Sequence, residues 1–296
     1  MGVSLLGKLR ETALAFVDVE TTGASPENGD RVIEVGVARV EGGEVVGRLQ
    51  RLVDPGRGIS VGITALTGIT PEMCAGQPVF GEIMGEVEEM MRGAVIVGHN
   101  VPFDLGFLRN EFRKSGADMV ERLGGAGGGA GGTVVLDTVR LARRQFGSGG
   151  NGLQKLAARF GCVEETAHRA MADALTTYRV FGRLIGALGG GGGWDATVVD
   201  AIQGQGGVIK LEGKEKKGAL PYELEEALER GVPVEMEYVD VREARSVRVV
   251  TPIEVRKFRG EMILLAWCEM RKERRTFKLG RIVRLSRVDL DRQDQG

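Results

Sequence analysis

The sequence predicts an α/β domain followed by a small all-β domain. Up to about residue 187, apolar strand-like runs alternate with segments whose apolar residues have helical spacing. After residue 231, five short alternating runs are separated by turns, which is typical of a small barrel. A glycine-rich tract at 186–193 and a weakly patterned stretch to about 207 separate the two patterns and predict a domain boundary.

The first domain begins with three predicted antiparallel strands. The apolar run that starts near Phe16 is the first of them, and residues 31–40 and 44–53 alternate as two more. The turn residues at 41–43 join the second and third strands into a hairpin. The first strand therefore pairs within a locally folded meander.

The rest of this domain reads as helices around two further buried strands, with a mobile glycine-rich surface loop at 123–132. Strands are predicted at 94–97 and 134–136. Helical turns or helices are predicted at 60–73, 79–91, 101–114, 137–146, 152–160 and 168–187.

Two acids interrupt the first apolar strand. Asp18 and Glu20 are two residues apart, so their side chains point to the same face of the strand. Burying two carboxylates together costs several kcal/mol unless a cation compensates, and hard oxygen ligands favour Mg²⁺ or Mn²⁺. The alternative is an exposed edge strand whose acids are solvated.

Two further acids follow at element boundaries. Asp104 lies where a buried strand becomes a helix, and Asp173 lies on the long helix after His168. On an ideal helix His168 and Asp173 would be about 140° apart, so they converge only if His168 precedes the helix start. An imidazole beside an acid predicts a general base, and the alternative is a structural histidine.

These residues resemble the three motifs of the DEDDh 3′→5′ exonucleases, a family that includes the proofreading subunit of bacterial replicative DNA polymerase. The motifs are Asp18-x-Glu20, His99-Asn100-x-x-Phe103-Asp104 and His168-x4-Asp173, and the similarity covers residues 12–188. The resemblance implies a ribonuclease-H-like α/β fold with a mixed five-stranded sheet.

The resemblance also implies a chemistry. Asp18, Glu20, Asp104 and Asp173 would hold two Mg²⁺ or Mn²⁺ ions, and His168 would take the proton of the attacking water. The residues that would grip the 3′-terminal nucleotide are Thr21, Thr22, Leu66, Asn100 and Phe103. The alternative interpretation of Leu66 and Phe103 is that they are ordinary residues of the hydrophobic core. Arg169 could reach phosphate, or could belong to a charged exposed helix face.

The second domain, residues 208–290 after a linker at 189–207, resembles a WYL domain with an Sm-like or SH3-like β-barrel. An amphipathic helix at 219–230 precedes its strands. The resemblance rests on Tyr238 and on the segments 248–252, 264–268 and 275–282. The name-giving Trp-Tyr-Leu is Met262-Ile263-Leu264 here, and Gly280 replaces the usual Asp.

The WYL resemblance implies binding of nucleic acid or of a regulatory nucleotide. The residues nominated for this role are Tyr238, Arg248, Arg275, Lys278 and Arg281, and Phe277 is expected to face the barrel core. Residues 242–287 contain 14 basic and 5 acidic side chains, which points to a phosphate-bearing or otherwise anionic partner. A solvated barrel surface or a protein-binding face is the alternative.

The remaining composition limits the class of protein. No apolar run approaches the ~18 residues of a membrane span, and three dispersed cysteines indicate neither a disulfide framework nor a zinc site. These features predict a cytoplasmic protein with no membrane partner. The DEDDh resemblance and its five motif residues imply a metal-dependent 3′→5′ exonuclease, with single-stranded DNA as the favoured substrate. An exoribonuclease, and a nucleic-acid-binding or ligand-sensing regulatory protein, are the alternatives.

Overall fold

The computed structural model describes residues 3–125, 133–147, 149–163, 168–188, 192–209, 224, 227–228, 231–240, 244–258 and 261–287. The chain divides into two compact units, Met1–Glu212 and Gly213–Gly296. Each unit has its own hydrophobic core.

The first unit is built on a mixed five-stranded sheet. Its strands are β1 (Leu14–Thr21), β2 (Val32–Glu41), β3 (Glu44–Leu52), β4 (Val95–Gly98) and β5 (Val135–Asp137). Their spatial order is β3-β2-β1-β4-β5, with β1 at the centre. The first three strands are antiparallel, and β4 and β5 run parallel to β1 and to each other. The predicted three-strand meander and mixed sheet are confirmed.

Helices cover both faces of this sheet. They are α1 (Val61–Thr67), α2 (Pro71–Cys74), α3 (Phe80–Met91), α4 (Val101–Lys114), α5 (Thr138–Phe146), α6 (Leu153–Phe160), α7 (Ala170–Leu184) and α8 (Val198–Gly204). On one face Phe16 of β1 packs against Phe181 of α7, with ring centroids 5.5 Å apart. On the other face Val17 joins a cluster with α3 and α4. Because β1 is covered on both sides, acids at its end lie next to a dry core.

Residues 192–209 belong to the first unit, which differs from the linker predicted at 189–207. Val198 and Ala201 of α8 are fully buried. Trp194 packs 6.0 Å from Phe181, and the Leu9 amide donates to the Ala196 carbonyl at 2.8 Å. The apolar residues of α8 are too few, and too close to glycines, for periodicity to predict a packed helix.

The second unit is a five-stranded antiparallel sheet. Its strands are β6 (Val234–Val239), β7 (Arg245–Phe258), β8 (Glu261–Cys268), β9 (Glu273–Lys278) and β10 (Ile282–Arg287), in the order β10-β6-β7-β8-β9. Phe277 is buried in its core, as predicted. No pairing joins β9 to β10 within the described strands, so closure into a barrel stays a prediction.

Several predicted segments fall only partly within the described ranges. Of the predicted helix at 219–230, Leu224, Ala227 and Leu228 are helical and belong to the core of the second unit, and the other residues up to 230 lie outside the described ranges. Most of the glycine-rich run at 123–132 and residues 189–191 also lie outside.

The three cysteines are dispersed through both units. Cys74 is buried in the first unit, Cys268 is buried in the second, and Cys162 is half-buried. None of the helices in the described ranges has the length and hydropathy of a membrane span.

Candidate metal and catalytic site

Three carboxylates meet where β1 ends and α7 begins. Asp18 and Glu20 project from the same face of β1, and Asp173 projects from the first turn of α7. One oxygen from each of the three lies within 4.8 Å of the other two. The strand face predicted for Asp18 and Glu20 is therefore directed at the helix that supplies the third acid.

Asp104 adjoins this cluster from α4. It lies in the first turn of that helix and is buried, and its Oδ1 accepts a hydrogen bond of 3.0 Å from the Val19 amide. Asp104 is not one of the three acids that lie within 4.8 Å of each other. Its charge nevertheless acts on the pKa of Asp18 more strongly than that of any other neighbour.

The protein environment holds protons on this cluster when no cation is present. Burial, and then the charge of Asp104, raises the pKa of Asp18 well above its ordinary value. Burial, and then the charge of Asp173, raises the pKa of Glu20 to about 8. Clustered, partly buried oxygen donors of this kind fit a hard divalent cation such as Mg²⁺ or Mn²⁺, which would replace those protons.

His168 precedes α7, which is the condition for it to approach Asp173. Its φ of 63° places it in the left-handed region, outside the helix whose N-cap is Arg169. Its amide donates to Asp173 Oδ2 at 3.1 Å, and its side chain is exposed. The imidazole is therefore open to solvent at the edge of the acidic cluster.

Two polar residues at the site were not predicted from the sequence. Gln154 of α6 donates to Asp173 Oδ1 at 2.9 Å. Glu34 of β2 is fully buried and pairs in register with Glu20. The sequence signal for Glu34 was an acid inside a buried apolar run, which is rare without a partner.

The charge state of Glu34 follows from its partners. Burial alone would raise the pKa of Glu34, but hydrogen bonds from Arg169, Gln50 and the Ala170 amide outweigh burial and lower it. Glu34 is therefore an anion at neutral pH, paired with Arg169. The predicted role of Arg169 as a phosphate ligand competes with this ion pair.

Both threonines proposed as nucleotide contacts make hydrogen bonds to the backbone in the turn after β1. Thr21 Oγ1 donates to the Gly23 carbonyl at 2.6 Å. Thr22 Oγ1 accepts from the Arg31 amide at 3.0 Å, and both threonines are buried. Their hydroxyl groups are thus already engaged within the chain.

The other proposed nucleotide contacts differ in exposure. Leu66 on α1 is 46% exposed, so the alternative of an ordinary core position is wrong for it. Phe103 is half-buried, with its ring 5.0 Å from that of Phe107. Asn100 has a φ of 64°, and its amide donates to Asp137 Oδ1 at 3.0 Å. Leu66 is the most accessible of the group.

The second histidine is structural. His99 Nδ1 lies 2.8 Å from Thr138 Oγ1. Burial lowers the pKa of His99 to about 4, so the ring is neutral at physiological pH. His99 therefore braces the start of α5 and is separate from the acidic cluster.

In the second unit, the five nominated residues are mostly engaged with the protein itself. The Tyr238 ring packs against Phe277 at 5.2 Å, and its hydroxyl accepts from the Lys278 amide at 3.3 Å. Three of the nominated basic side chains have partners within the chain, namely Ser246 for Arg248, Glu273 for Arg275 and Glu261 for Lys278. Arg281 is half-buried in the turn before β10.

Comparison with known families agrees with both resemblances. The model of the exonuclease family RNase_T matches residues 15–181, which span the three motifs. The chain belongs to this exonuclease family. A WYL domain model matches residues 221–287. The exonuclease match contains all four acids and His168.

Curated relatives share the exonuclease region. The 3′-5′ exonuclease DinG of Bacillus subtilis is 34% identical over 174 residues, 58% of this chain and 18% of that protein. A DNA polymerase III subunit epsilon-like protein of Rhodobacter capsulatus is 38% identical over 199 residues, 62% of this chain and 27% of that protein. The chain thus spans less than a third of the length of either relative.

Solved structures share the fold at low sequence identity. The zinc-bound form of the E. coli ExoI–ssDNA complex has a TM-score of 0.53 and 18% identity, covering 86% of this chain and 54% of that one. A 3′-exonuclease that recognises a histone mRNA stem-loop has a TM-score of 0.50 and 15% identity, covering 62% and 66%. The predicted ribonuclease-H-like exonuclease fold is confirmed.

Proposed function

We propose that this chain is a metal-dependent 3′→5′ exonuclease that hydrolyses the terminal phosphodiester bond of single-stranded DNA. The carboxylate cluster of Asp18, Glu20 and Asp173, with Asp104 and His168 beside it, is the observation that carries the proposal. A protein that only bound nucleic acid would gain nothing from burying carboxylates whose charges repel both each other and phosphate.

The four acids would hold two divalent cations. When bound, the cations would lower the pKa of the attacking water and stabilise the charge of the leaving 3′-oxygen. The chain's own contribution is to keep the four carboxylates convergent, since Asp104 is tied to the backbone of β1 and Asp173 to Gln154. A cation would also offset the burial and the carboxylate repulsion that together raise the pKa of Asp18.

His168 would accept the proton of the attacking water. Its ring is exposed at the edge of the cluster, where a water and a phosphate could both reach it. Its amide is bonded to Asp173, so the base and one acid move together. This arrangement supports a general-base role and not a ligand role.

We propose DNA as the substrate class of this exonuclease. Relatives named for a 3′-5′ exonuclease and a DNA polymerase III subunit, and the fold neighbour bound to ssDNA, support DNA. The fold neighbour named for histone mRNA favours RNA as the second candidate. Selectivity would depend on contacts with the 2′-hydroxyl group.

Labelled oligomers test the proposal directly. Purified protein should shorten 3′ ends of single-stranded DNA stepwise in Mg²⁺ or Mn²⁺, and excess EDTA should stop it. His168→Gln should lower kcat by orders of magnitude with metal affinity near normal. Hydrolysis that persists in EDTA would exclude the metal mechanism. Loss of metal binding in His168→Gln would make His168 a ligand.

For the second unit we propose binding of a single nucleic-acid strand on the sheet face that carries Trp267. Trp267 is 37% exposed and lies between Thr251 and Arg274 in register, so all three side chains share one face. Arg274 is exposed and makes no ion pair with the described part of the chain. An exposed indole beside an exposed guanidinium suits stacking of a base and pairing with its phosphate.

The nominated arginines of this unit are less suited to the role. Arg248 pairs in register with buried Met236, and Arg275 with buried Ala266, so both lie on the core side of the sheet. Recognition through the Trp267 face is therefore favoured over recognition through Arg248, Arg275 and Tyr238. A regulatory nucleotide or a protein partner at the same unit is the alternative.

Intrinsic fluorescence can separate these alternatives. Trp194→Phe leaves Trp267 as the only tryptophan, because the chain has two. In EDTA, an oligothymidylate should quench Trp267, and Arg274→Ala should weaken that binding by about 1 kcal/mol or more. Arg275→Ala, on the same strand but the other face, is the matched control. Fluorescence that does not change with oligomer would contradict a role for the Trp267 face.

The organisation of the whole chain is part of the proposal. We propose an exonuclease domain at 12–188 that is extended by the packed residues 192–209. Of the second domain expected at 208–290, we assign the part after residue 209 to the WYL-like domain. A cytoplasmic location is consistent with the dispersed free cysteines.

A further inference from the structure

Glu34 is a buried acid with an unusually complete set of donors. Arg169 Nη2 lies 2.5 Å from Glu34 Oε1, and Arg169 Nε lies 3.0 Å from Oε2. Gln50 Nε2 donates to Oε1 at 2.8 Å, and the Ala170 amide donates to Oε2 at 2.9 Å. A two-pronged ion pair with further donors is the geometry in which a buried carboxylate is held rigidly.

This ion pair lies at the first residues of α7. Arg169 is the N-cap residue and makes no side-chain cap of its own, so Glu34 takes that place by accepting from the Ala170 amide. Gly36, two residues along β2, has no room for a Cβ because it would overlap the Ala170 backbone. The start of α7 is thus pressed directly onto β2.

His168 is the residue immediately before this anchor. Its positive φ is a conformation that a residue with a side chain adopts only when its surroundings impose it. On its C-terminal side the Glu34–Arg169 pair holds the next residue, and the His168 amide is itself bonded to Asp173 Oδ2 at 3.1 Å. The direction in which the imidazole leaves the chain therefore depends on where Arg169 is held.

We infer that Glu34, acting through Arg169, is a positioning residue that sets the His168 turn at the edge of the acidic cluster. The inference rests on the proposed role of His168 as the base. It assigns Arg169 to the protein's own framework and not to substrate phosphate. Glu34 is not one of the three acids whose oxygens converge within 4.8 Å, although its charge is among those that raise the pKa of Glu20.

Two substitutions test the pair. Glu34→Gln keeps the shape but turns an amide toward Arg169, and it should lower kcat by about 10- to 100-fold, the loss expected when a catalytic group is misplaced by about 1 Å. KM should stay within about threefold, because the pair does not bind substrate. Arg169→Lys keeps the charge but loses the planar fork, so it should lose activity by a smaller factor.

The chain offers a matched control in a second buried ion pair. Arg31 binds Glu111 of α4 through two nitrogens, at 2.7 and 2.8 Å, and the Val32 amide also donates to Glu111. Glu111→Gln should lower the melting temperature about as much as Glu34→Gln does. Its kcat should stay near that of the unaltered protein. A kcat loss in Glu111→Gln equal to that in Glu34→Gln would assign both to general destabilisation and overturn the inference.

A double-mutant cycle identifies the route of the effect. In a His168→Gln background, Glu34→Gln should cost less than about threefold more in kcat, because the group it positions is already gone. The same large factor in both backgrounds would show that Glu34 does not act through His168. If Glu34→Gln fails to fold, Arg169→Lys runs the same cycle. If His168→Gln alone keeps full kcat, the proposed base fails first and the inference fails with it.

Discussion

The Val19 amide donates to Asp104 Oδ1 at 3.0 Å, which ties the acid of α4 to the backbone of β1 between Asp18 and Glu20. The contact is made by a backbone group, so it depends on the position of β1 and not on a side-chain rotamer. Asp104 therefore has two roles. It adds charge to the site, and it accepts the hydrogen bond of the buried Val19 N–H group.

These two roles can be separated by substitution. Asp104→Asn keeps an acceptor for the Val19 amide, so the protein should fold but lose hydrolysis. Asp104→Ala leaves that buried N–H unpaired and should be less stable than Asp104→Asn by about 1–3 kcal/mol. Urea unfolding of both variants in EDTA measures the difference. Equal stability of the two would mean that the Val19 contact contributes nothing.

Stability without metal should fall as pH rises. The pKa of Glu20 is about 8 in the folded chain against an ordinary value of 4.5, so between these values the folded state binds more protons than the unfolded state. The stabilisation by the Glu20 proton is complete below pH 4.5, the pKa of the unfolded chain. It is lost by roughly 1 kcal/mol per pH unit as the pH rises toward the folded pKa of about 8. Melting temperatures from pH 5 to 8 in EDTA should decline, and saturating Mg²⁺ should oppose the decline.

The same measurement has an internal control. Glu20→Gln cannot titrate, so its melting temperature in EDTA should depend less on pH. A melting temperature of the unaltered protein that rises between pH 5 and 8 would contradict the raised pKa of Glu20.

Truncation should depend on where the chain is cut. Residues 1–209 should fold and hydrolyse short oligomers, because they include α8 and the Trp194 contacts. Residues 1–190 would expose the core that Val198 and Ala201 cover, and should lose several kcal/mol. Circular dichroism melts of both proteins make the comparison. A fully stable 1–190 fragment would show that α8 is dispensable.

Loss of the second unit should change the salt dependence of binding. Each phosphate neutralised in a single strand contributes a slope of about -0.7 to the log–log plot of affinity against salt. The intact chain in EDTA should therefore have a steeper slope than residues 1–209 with a long oligomer. Identical slopes would mean that the basic residues of β7–β9 do not contact the nucleic-acid backbone.

Gly36 should not tolerate a side chain. An added Cβ would meet the Ala170 backbone, which cannot move without shifting α7, so Gly36→Ala should lower both stability and kcat. Gly85 of α3 has open space around its Cβ position. Gly85→Ala should instead stabilise the chain by up to about 1 kcal/mol, because a glycine inside a helix loses more conformational entropy on folding than an alanine does. Thermal melts should therefore give a lower melting temperature for Gly36→Ala and a higher one for Gly85→Ala.

The elements that the sequence predicted are those whose pattern depends only on residues close together in the chain. The alternation around Asp18 and Glu20 placed both acids on one face, because a strand's periodicity needs no knowledge of its neighbours. The position of His168 before the helix start is likewise a local requirement, because a helical His168 would point about 140° away from Asp173. The mixed sheet was implied by the exonuclease resemblance, and the order of strand and helix patterns agrees with it.

The residues that the sequence did not reveal depend on contacts between distant segments. The role of Glu34 arises from α7 crossing β2, 135 positions away in the case of Arg169. Gln205 looked like part of a weakly patterned stretch, yet it is buried and its Oε1 accepts from the Asp137 amide at 2.8 Å. Neither contact leaves a periodic signal in the chain.

The placement of the cysteines provides a separate reporter for each unit. Cys74 is 2% exposed in the first unit and Cys268 is 0% exposed in the second, so each thiol can react with an alkylating reagent only when its own core opens. Half-buried Cys162 should react first and can be blocked before the measurement. Mass spectrometry of the two cysteine-containing peptides after digestion would then give a separate opening rate for each core from one sample. Adding Mg²⁺ should slow labelling at Cys74 and leave Cys268 unchanged, because the acidic cluster of Asp18, Glu20 and Asp173 lies in the first unit.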